Sequence, residues 1–187
     1  MEYGDSMGKV KVIVVNGLSC SGKDSFIAAV TKKAPVVVSF SSIGTVRGAL
    51  IGAGILDHKK KTEKERAFLV AVKQAWIEYS DGPYREVLKV VDNLEKACEF
   101  MNNIDRVLLF VQVREPKEIY KLYTHFMENF FSVLVERSEA ILQPGDEGVL
   151  NFDYDFDVHN NGSLEDLETD LGKEADRFIQ FLDEETE

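Results

Sequence analysis

Gly17 and Gly22 bracket four residues and stand directly before Lys23, in the run Asn16-Gly17-Leu18-Ser19-Cys20-Ser21-Gly22-Lys23-Asp24-Ser25. At that spacing a loop can turn successive backbone N–H groups inward on phosphate oxygens. Lys23 is then placed to reach the β- and γ-phosphates of a nucleotide as a mobile point charge. The flanks agree: the β-branched run Val12-Ile13-Val14-Val15 leads into the loop, and a helical pattern begins at Lys23. Strand, loop and helix in that order add the positive end of a helix dipole to the anion cradle. One position departs from the common pattern. Asp24 stands where a Ser or Thr hydroxyl usually meets Mg²⁺, and Ser25 comes one residue later. The expected nucleotide-binding residues are therefore Gly17, Ser19, Cys20, Ser21, Gly22, Lys23, Asp24 and Ser25, with Asp24 and Ser25 as the metal candidates and Lys23 and Asp24 taking part in catalysis.

Moving a phosphoryl group also needs a clamp for the acceptor and charge stabilisation in flight. Arginine suits both, because its planar fork meets phosphate with two hydrogen bonds. The candidates are Arg47, Arg66, Arg85, Arg114 and Arg137. Arg114 directly follows a buried-strand pattern and is expected to serve catalysis and the acceptor; its bland alternative is a salt bridge to Glu118. Arg137 ends a later strand pattern and is assigned to the nucleotide side. Ser41 and Arg47 follow the second strand, where an acceptor would lie. Arg66 sits on an amphipathic helix whose charged face is otherwise solvated, and Arg85 sits near a helix start.

Two parts of the usual machinery are missing. The strand Leu108-Leu109-Phe110-Val111 leads to Gln112 rather than to the metal-binding Asp of a Walker-B element, which leaves Asp24 and Ser25 as the nearest metal partners and Glu115 as a further one through a water. No Lys or Arg occurs between Arg137 and Lys173, so the usual arginine-bearing lid after the fourth strand is absent or neutral.

The elements that must position these residues alternate. Strands are predicted over residues 10–15, 36–40, 107–113 and 130–135, with a short fifth over 156–158. Helices are predicted over 23–32, 45–51, from a Thr62 cap with Glu65 closing a capping box, from Pro83 onward, up to about Tyr123, and from Ser163 to the end. The third of these should bury Phe68, Leu69, Val72, Ala75, Trp76 and Tyr79, and the fourth Val87, Leu88, Val91, Leu94, Cys98 and Met101. Strands alternating with helices predict an α/β fold, a three-layer doubly wound parallel sheet. Ligands then bind beyond the carboxyl ends of the strands, at Asn16-Gly17, Ser41-Ser42, Arg114-Glu115, Arg137 and Asn160.

Composition narrows the partners. The chain has 187 residues, 44% hydrophobic, with 33 acidic against 22 basic residues and a formal charge of −11. One domain of residues 9–183 is expected, behind a flexible leader of residues 1–8 and before an acidic tail of 184–187. The negative charge argues against a nucleic-acid polymer or a membrane surface but leaves room for a local phosphate pocket. No apolar run is long enough to span a bilayer, and no signal peptide is visible. Cys20 and Cys98 make neither a metal spacing nor a disulfide framework, which fits a reducing, cytoplasmic setting.

Three residue groups resemble a known family. Gly17-Leu18-Ser19-Cys20-Ser21-Gly22-Lys23-Asp24-Ser25 is similar to the Gly-x3-Ser-Gly-Lys-Asp-Thr loop of phage-type deoxynucleoside monophosphate kinases and of animal phosphomevalonate kinase. Val113-Arg114-Glu115-Pro116-Lys117-Glu118 resembles the Val-Arg-x-x-x-Glu element of those kinases. Val158-His159-Asn160-Asn161-Gly162-Ser163-Leu164 resembles their Asn-x-Gly-Ser-Leu turn, which implies that Asn160 and Gly162 receive the adenine. The resemblance implies a P-loop NTPase fold of the nucleotide kinase-like kind, ATP and Mg²⁺ as cofactors, and transfer to a small phosphorylated acceptor, foremost a (deoxy)nucleoside monophosphate. A homodimer is compatible with the sequence. Another small phosphomonoester as acceptor, or an ATP-binding regulator without fast transfer, remain as alternatives. GTP is disfavoured, since no Asn-Lys-x-Asp guanine motif occurs.

Other signals have plain readings. The Asp153-Tyr154-Asp155-Phe156-Asp157 run mimics a calcium loop but lacks its Gly and its bidentate Glu; alternation instead puts Tyr154, Phe156 and Val158 on one strand face and the aspartates in water. His58, His125 and His159 share no ligand spacing. Lys59-Lys60-Lys61 reads as a solvated stretch that opposes the dipole of the helix after it.

Overall fold

Seven residues in a row, β1 Val10–Asn16, are buried on both faces of a sheet. Because successive side chains point to opposite faces, Ile13 and Val15 join one core while Val10, Val12 and Val14 join another. This is why the strand reads as continuously apolar rather than alternating. The structure is a computed structural model and describes residues 9–57, 62–101, 103–142, 148–162 and 167–185.

Around β1 lie β2 Val37–Ser41, β3 Val107–Gln112, β4 Phe130–Glu136 and β5 Phe156–His159. All pairings are parallel, in the order β2-β3-β1-β4-β5. The carboxyl ends of all five therefore share one edge, and the strand order reverses at β1. That reversal opens the crevice in which such sheets bind ligands.

Helices cover both faces. On one, α1 Lys23–Thr31 and α6 Leu167–Glu184 pack against the sheet through Phe26 and Phe178, whose rings meet at 5.6 Å. Phe110 and Phe156 extend this aromatic cluster edge-on, with centroids 6.2 Å from Phe26 and 5.3 Å from Phe178 respectively. On the other face, α4 Gly82–Phe100 and α5 Pro116–Phe126 bury Val87, Val91, Ile119 and Leu122. Between β2 and α4 the chain forms α2 Ser42–Gly52 and α3 Glu63–Ser80, which pack on each other. The fold is thus the expected three-layer, doubly wound parallel α/β sheet.

Local chemistry moved several boundaries and faces from their predicted places. Ser41-Ser42 is not a loop: Ser41 caps α2, its Oγ accepting from Gly44 N at 3.2 Å, so the helix starts three residues before Thr45. The predicted loop over 80–83 shrinks to Asp81, held at φ 51, with Gly82 and Pro83 already inside α4. Thr62 caps α3 as expected, accepting from Glu65 N at 3.1 Å. The Glu65 side chain does not complete the capping box; Arg47 takes it instead. On α3, Phe68 and Tyr79 face water, the latter 90% exposed, and the buried positions are Leu69 and Lys73. Met101 is exposed, ending the inward face of α4 at Cys98. Asp155 is not merely solvated, since its Oδ2 accepts from Ser132 N and Oγ at 2.8 and 2.7 Å. The leader 1–8, Lys59-Lys60-Lys61, His58 and the Ser163 helix start lie outside the described residues, and Glu184, assigned to the tail, closes α6.

Candidate active site at the carboxyl edge of the sheet

The loop between β1 and α1 has the backbone that an anion cradle needs. Gly17 has φ 147 and Gly22 φ 100, values that side-chain-bearing residues rarely adopt. Space is as limiting as conformation. A Cβ on Gly17 would lie 2.4 Å from Val135 O, and one on Gly22 would lie 2.2 Å from Asn160 Nδ2. Cys20, exposed at the crest, is also left-handed at φ 64. Gly22 N-caps α1, so the helix points its positive end into the same concavity.

Lys23 lies across the mouth of the loop. Its Nζ donates to Gly17 O at 2.7 Å and to Leu18 O at 2.8 Å, which holds the ammonium above the turned backbone. A phosphate entering there meets the charge already in place.

Three side-chain amides lock the surroundings. Asn16, 1% exposed, accepts from Gly17 N at 3.2 Å and donates to Val113 O at 3.0 Å, tying the loop's first residue to the end of β3. Asn160 donates to Ser21 O at 2.7 Å from just beyond β5. Gln112, the last residue of β3, donates its Nε2 to Asp24 Oδ1 at 2.8 Å. Nearby, the Tyr154 hydroxyl donates a hydrogen bond to Val149 O at 2.7 Å, and burial pushes its phenol up to about 12 despite a hydrogen bond with Asn16.

The arginines separate into groups. Arg114 is half-buried directly beyond β3, at the carboxyl edge, and Glu118 is paired with Lys121 at 2.9 Å. Arg137 follows β4 on the same edge and meets Glu139 at 3.2 Å. Arg47 is committed between α2 and α3, its Nε 3.1 Å from Glu65 Oε1 and one terminal nitrogen 3.1 Å from Asp57 O. Arg66 and Arg85 are exposed, and among the described residues no contact links either to the loop. Arg85 follows Tyr84, whose hydroxyl meets His125 in the last turn of α5, well down the helix from the carboxyl edge. An open groove of about 650 Å³ lined by Tyr84, Lys117, Tyr120, Lys121, Thr124 and His125 lies on that outer side and shares no residue with the loop. Ser41 is at the edge but spends its hydroxyl as the α2 cap. Ser25 is exposed on α1, and Gly162 ends the described turn after Asn160.

Sequence reasoning passed over one charged pair. Lys73 is 4% exposed on α3 and forms an ion pair with Glu115, the residue after Arg114. The signal was present: Lys73 stands four residues after Leu69, in the helix's inward stripe, where a charge needs a partner. The strap after β4 was also missed, because backbone pairing of Ile141 with Ser19 leaves no side-chain pattern to read.

These residues fit a nucleotide polyphosphate. The glycine turn supplies inward backbone, Lys23 the charge, and Asp24 an exposed carboxylate at the first turn of α1. Among the described residues no three His, Cys, Asp or Glu side chains gather as a metal site. A cation here would take most ligands from phosphate and water, as Mg²⁺ does.

No family model matches the sequence, and no curated protein matches it. Similar solved structures exist. A point mutant of the APS kinase from Mycobacterium tuberculosis is 14% identical, with 94% of this chain and 98% of that one covered and a TM-score of 0.46. The dephospho-CoA kinase from Campylobacter jejuni is also 14% identical, covering 92% and 97%, with a TM-score of 0.49. A sugar kinase from Janibacter sp. is 11% identical, covering 93% and 95%, with a TM-score of 0.44. Likeness this remote assigns neither substrate nor activity.

Proposed function

We propose that this chain is a P-loop phosphotransferase that moves the γ-phosphoryl group of ATP, bound with Mg²⁺, onto a small phosphorylated acceptor, foremost a (deoxy)nucleoside monophosphate. The observation that carries the reading is Lys23 held 2.7 and 2.8 Å from two loop carbonyls, above a turn whose glycines leave no room for a Cβ. Catalysis by such a site is positioning and charge neutralisation rather than covalent chemistry. Lys23 meets the donor phosphates, and bound Mg²⁺ supplies Lewis-acid neutralisation beside Asp24. Arg114 and Arg137 border the crevice where donor and acceptor meet. Asn160 and Gly162 carry the turn assigned to the adenine. Of the acceptor arginines, Arg114 has the strongest support from its place, half-buried at the carboxyl edge just beyond β3.

A second reading is a nucleotide-binding regulator. The absence of Lys and Arg from residues 138–172 favours it, because that stretch follows β4 where a cationic lid would close. Among the described residues no helix is long and apolar enough to cross a membrane. We place the protein in the cytoplasm, with a small-molecule acceptor as its partner.

Acceptor-dependent ADP formation across a panel of nucleoside and non-nucleoside monophosphates decides between these readings. Stimulation by one class names the acceptor. A flat panel with ATP still bound supports the regulator.

A further inference from the structure

Two carboxylates at the edge of the crevice are treated differently by their neighbours. Glu115 is paired with Lys73, a nearly buried cation that cancels its charge. Asp24 is paired with Gln112, whose amide is neutral. A carboxylate only accepts, so the Gln112 group facing it is the N–H₂ end. An amide donor fixes a carboxylate's orientation and leaves the full negative charge available. Asp24 Oδ2 makes no hydrogen bond among the described residues.

Where Mg²⁺ is held in many P-loop enzymes, the helix supplies a hydroxyl and the neighbouring strand supplies the carboxylate. Here the residue types are exchanged: the carboxylate is on the helix, at Asp24, and the strand end carries Gln112. From this exchange we infer that Gln112 is a positioning residue for the metal, holding Asp24 Oδ1 so that Oδ2 faces the cation or one of its waters. The inference rests on the proposed nucleotide site and deepens it. Such orienting partners set metal affinity without touching the metal.

The test uses the full-length protein with Mn²⁺ as the probe. Binding of Mn²⁺ to the protein–ADP complex is read by electron paramagnetic resonance, and ADP binding in EDTA by calorimetry. Gln112→Ala should weaken Mn²⁺ about tenfold, the lower end for a lost orienting partner, with ADP affinity in EDTA unchanged. The exchange variant Asp24→Ser with Gln112→Asp restores the usual arrangement and should regain Mn²⁺ affinity over Asp24→Ser alone and over Gln112→Ala alone, which a merely structural role does not predict. Mn²⁺ curves of Gln112→Ala that overlay wild type, or an exchange variant no better than Gln112→Ala, overturn the inference while leaving the nucleotide site standing. Failure of wild type to bind ADP with or without metal overturns the proposed function and this inference together.

Discussion

The side-chain amide of Asn160 donates to the carbonyl of Ser21 across 2.7 Å, joining two residues that lie 139 positions apart in the chain. The bond is buried, and the space beside it is filled: Gly22 has no room for a Cβ against the same amide. The end of β5 therefore shapes the loop from Gly17 to Lys23 from behind. Asn160→Ala should lower stability by about 1–3 kcal/mol, because Ser21 O loses its partner in a buried site. ATP affinity should fall as well. Denaturant unfolding and calorimetry check this, and a variant with unchanged midpoint and unchanged affinity removes the brace.

Lys73 and Glu115 make a second structural prediction. Lys73→Met leaves Glu115 without its cation and should cost roughly 3 kcal/mol, at the low end of the range for a broken buried pair because Glu115 is partly open to water. The double variant Lys73→Met with Glu115→Leu should recover much of that loss. If the double variant is as unstable as the sum of both single changes, the two side chains do not act as a pair.

Much of the site was legible in the sequence, for identifiable reasons. The loop from Gly17 to Lys23 is contiguous, and its glycine spacing encodes its own backbone. The ends of β1, β3 and β4 were readable because parallel strands buried on both faces are nearly pure apolar runs, whereas β5 was read from the alternation of Phe156 and Val158 with aspartates. What stayed hidden depends on contacts between distant residues. Nothing local to Gln112 shows that it meets Asp24, 88 residues away. Nothing local to Arg47 shows that Glu65 claims it. The exposed Phe68 and Tyr79 mislead for a related reason: helical periodicity shows an apolar stripe but not which neighbour covers it.

Tyr154 predicts a pH effect. Its folded phenol titrates near 12, above its ordinary value of 10.0. Above pH 10 the unfolded chain releases this proton while the folded one keeps it, so stability falls as pH rises from about 10 towards 12. Tyr154→Phe should lose that part of the alkaline slope, and should be less stable at neutral pH because Val149 O loses its donor. Unfolding curves between pH 8 and pH 11 read both effects, and a slope identical in the variant rules out Tyr154 as its source.

Arg114→Lys keeps one charge at the crevice but loses the planar fork. Turnover should fall about tenfold or more, worth roughly 1.4 kcal/mol of barrier, with ATP affinity nearly unchanged. Steady-state kinetics beside ATP titration separate the two quantities. A loss confined to ATP affinity would move Arg114 to the donor side.

The proposed function requires that the Lys23 loop hold a nucleotide for transfer. The most direct measurement follows the γ-phosphate of ATP by ³¹P NMR in the presence of the stimulating monophosphate, for wild type and Lys23→Ala. The predicted result is growth of ADP and phosphorylated-acceptor signals together in wild type, and their loss in the variant. Equal transfer by both proteins would rule out Lys23 as the group that meets the donor phosphates.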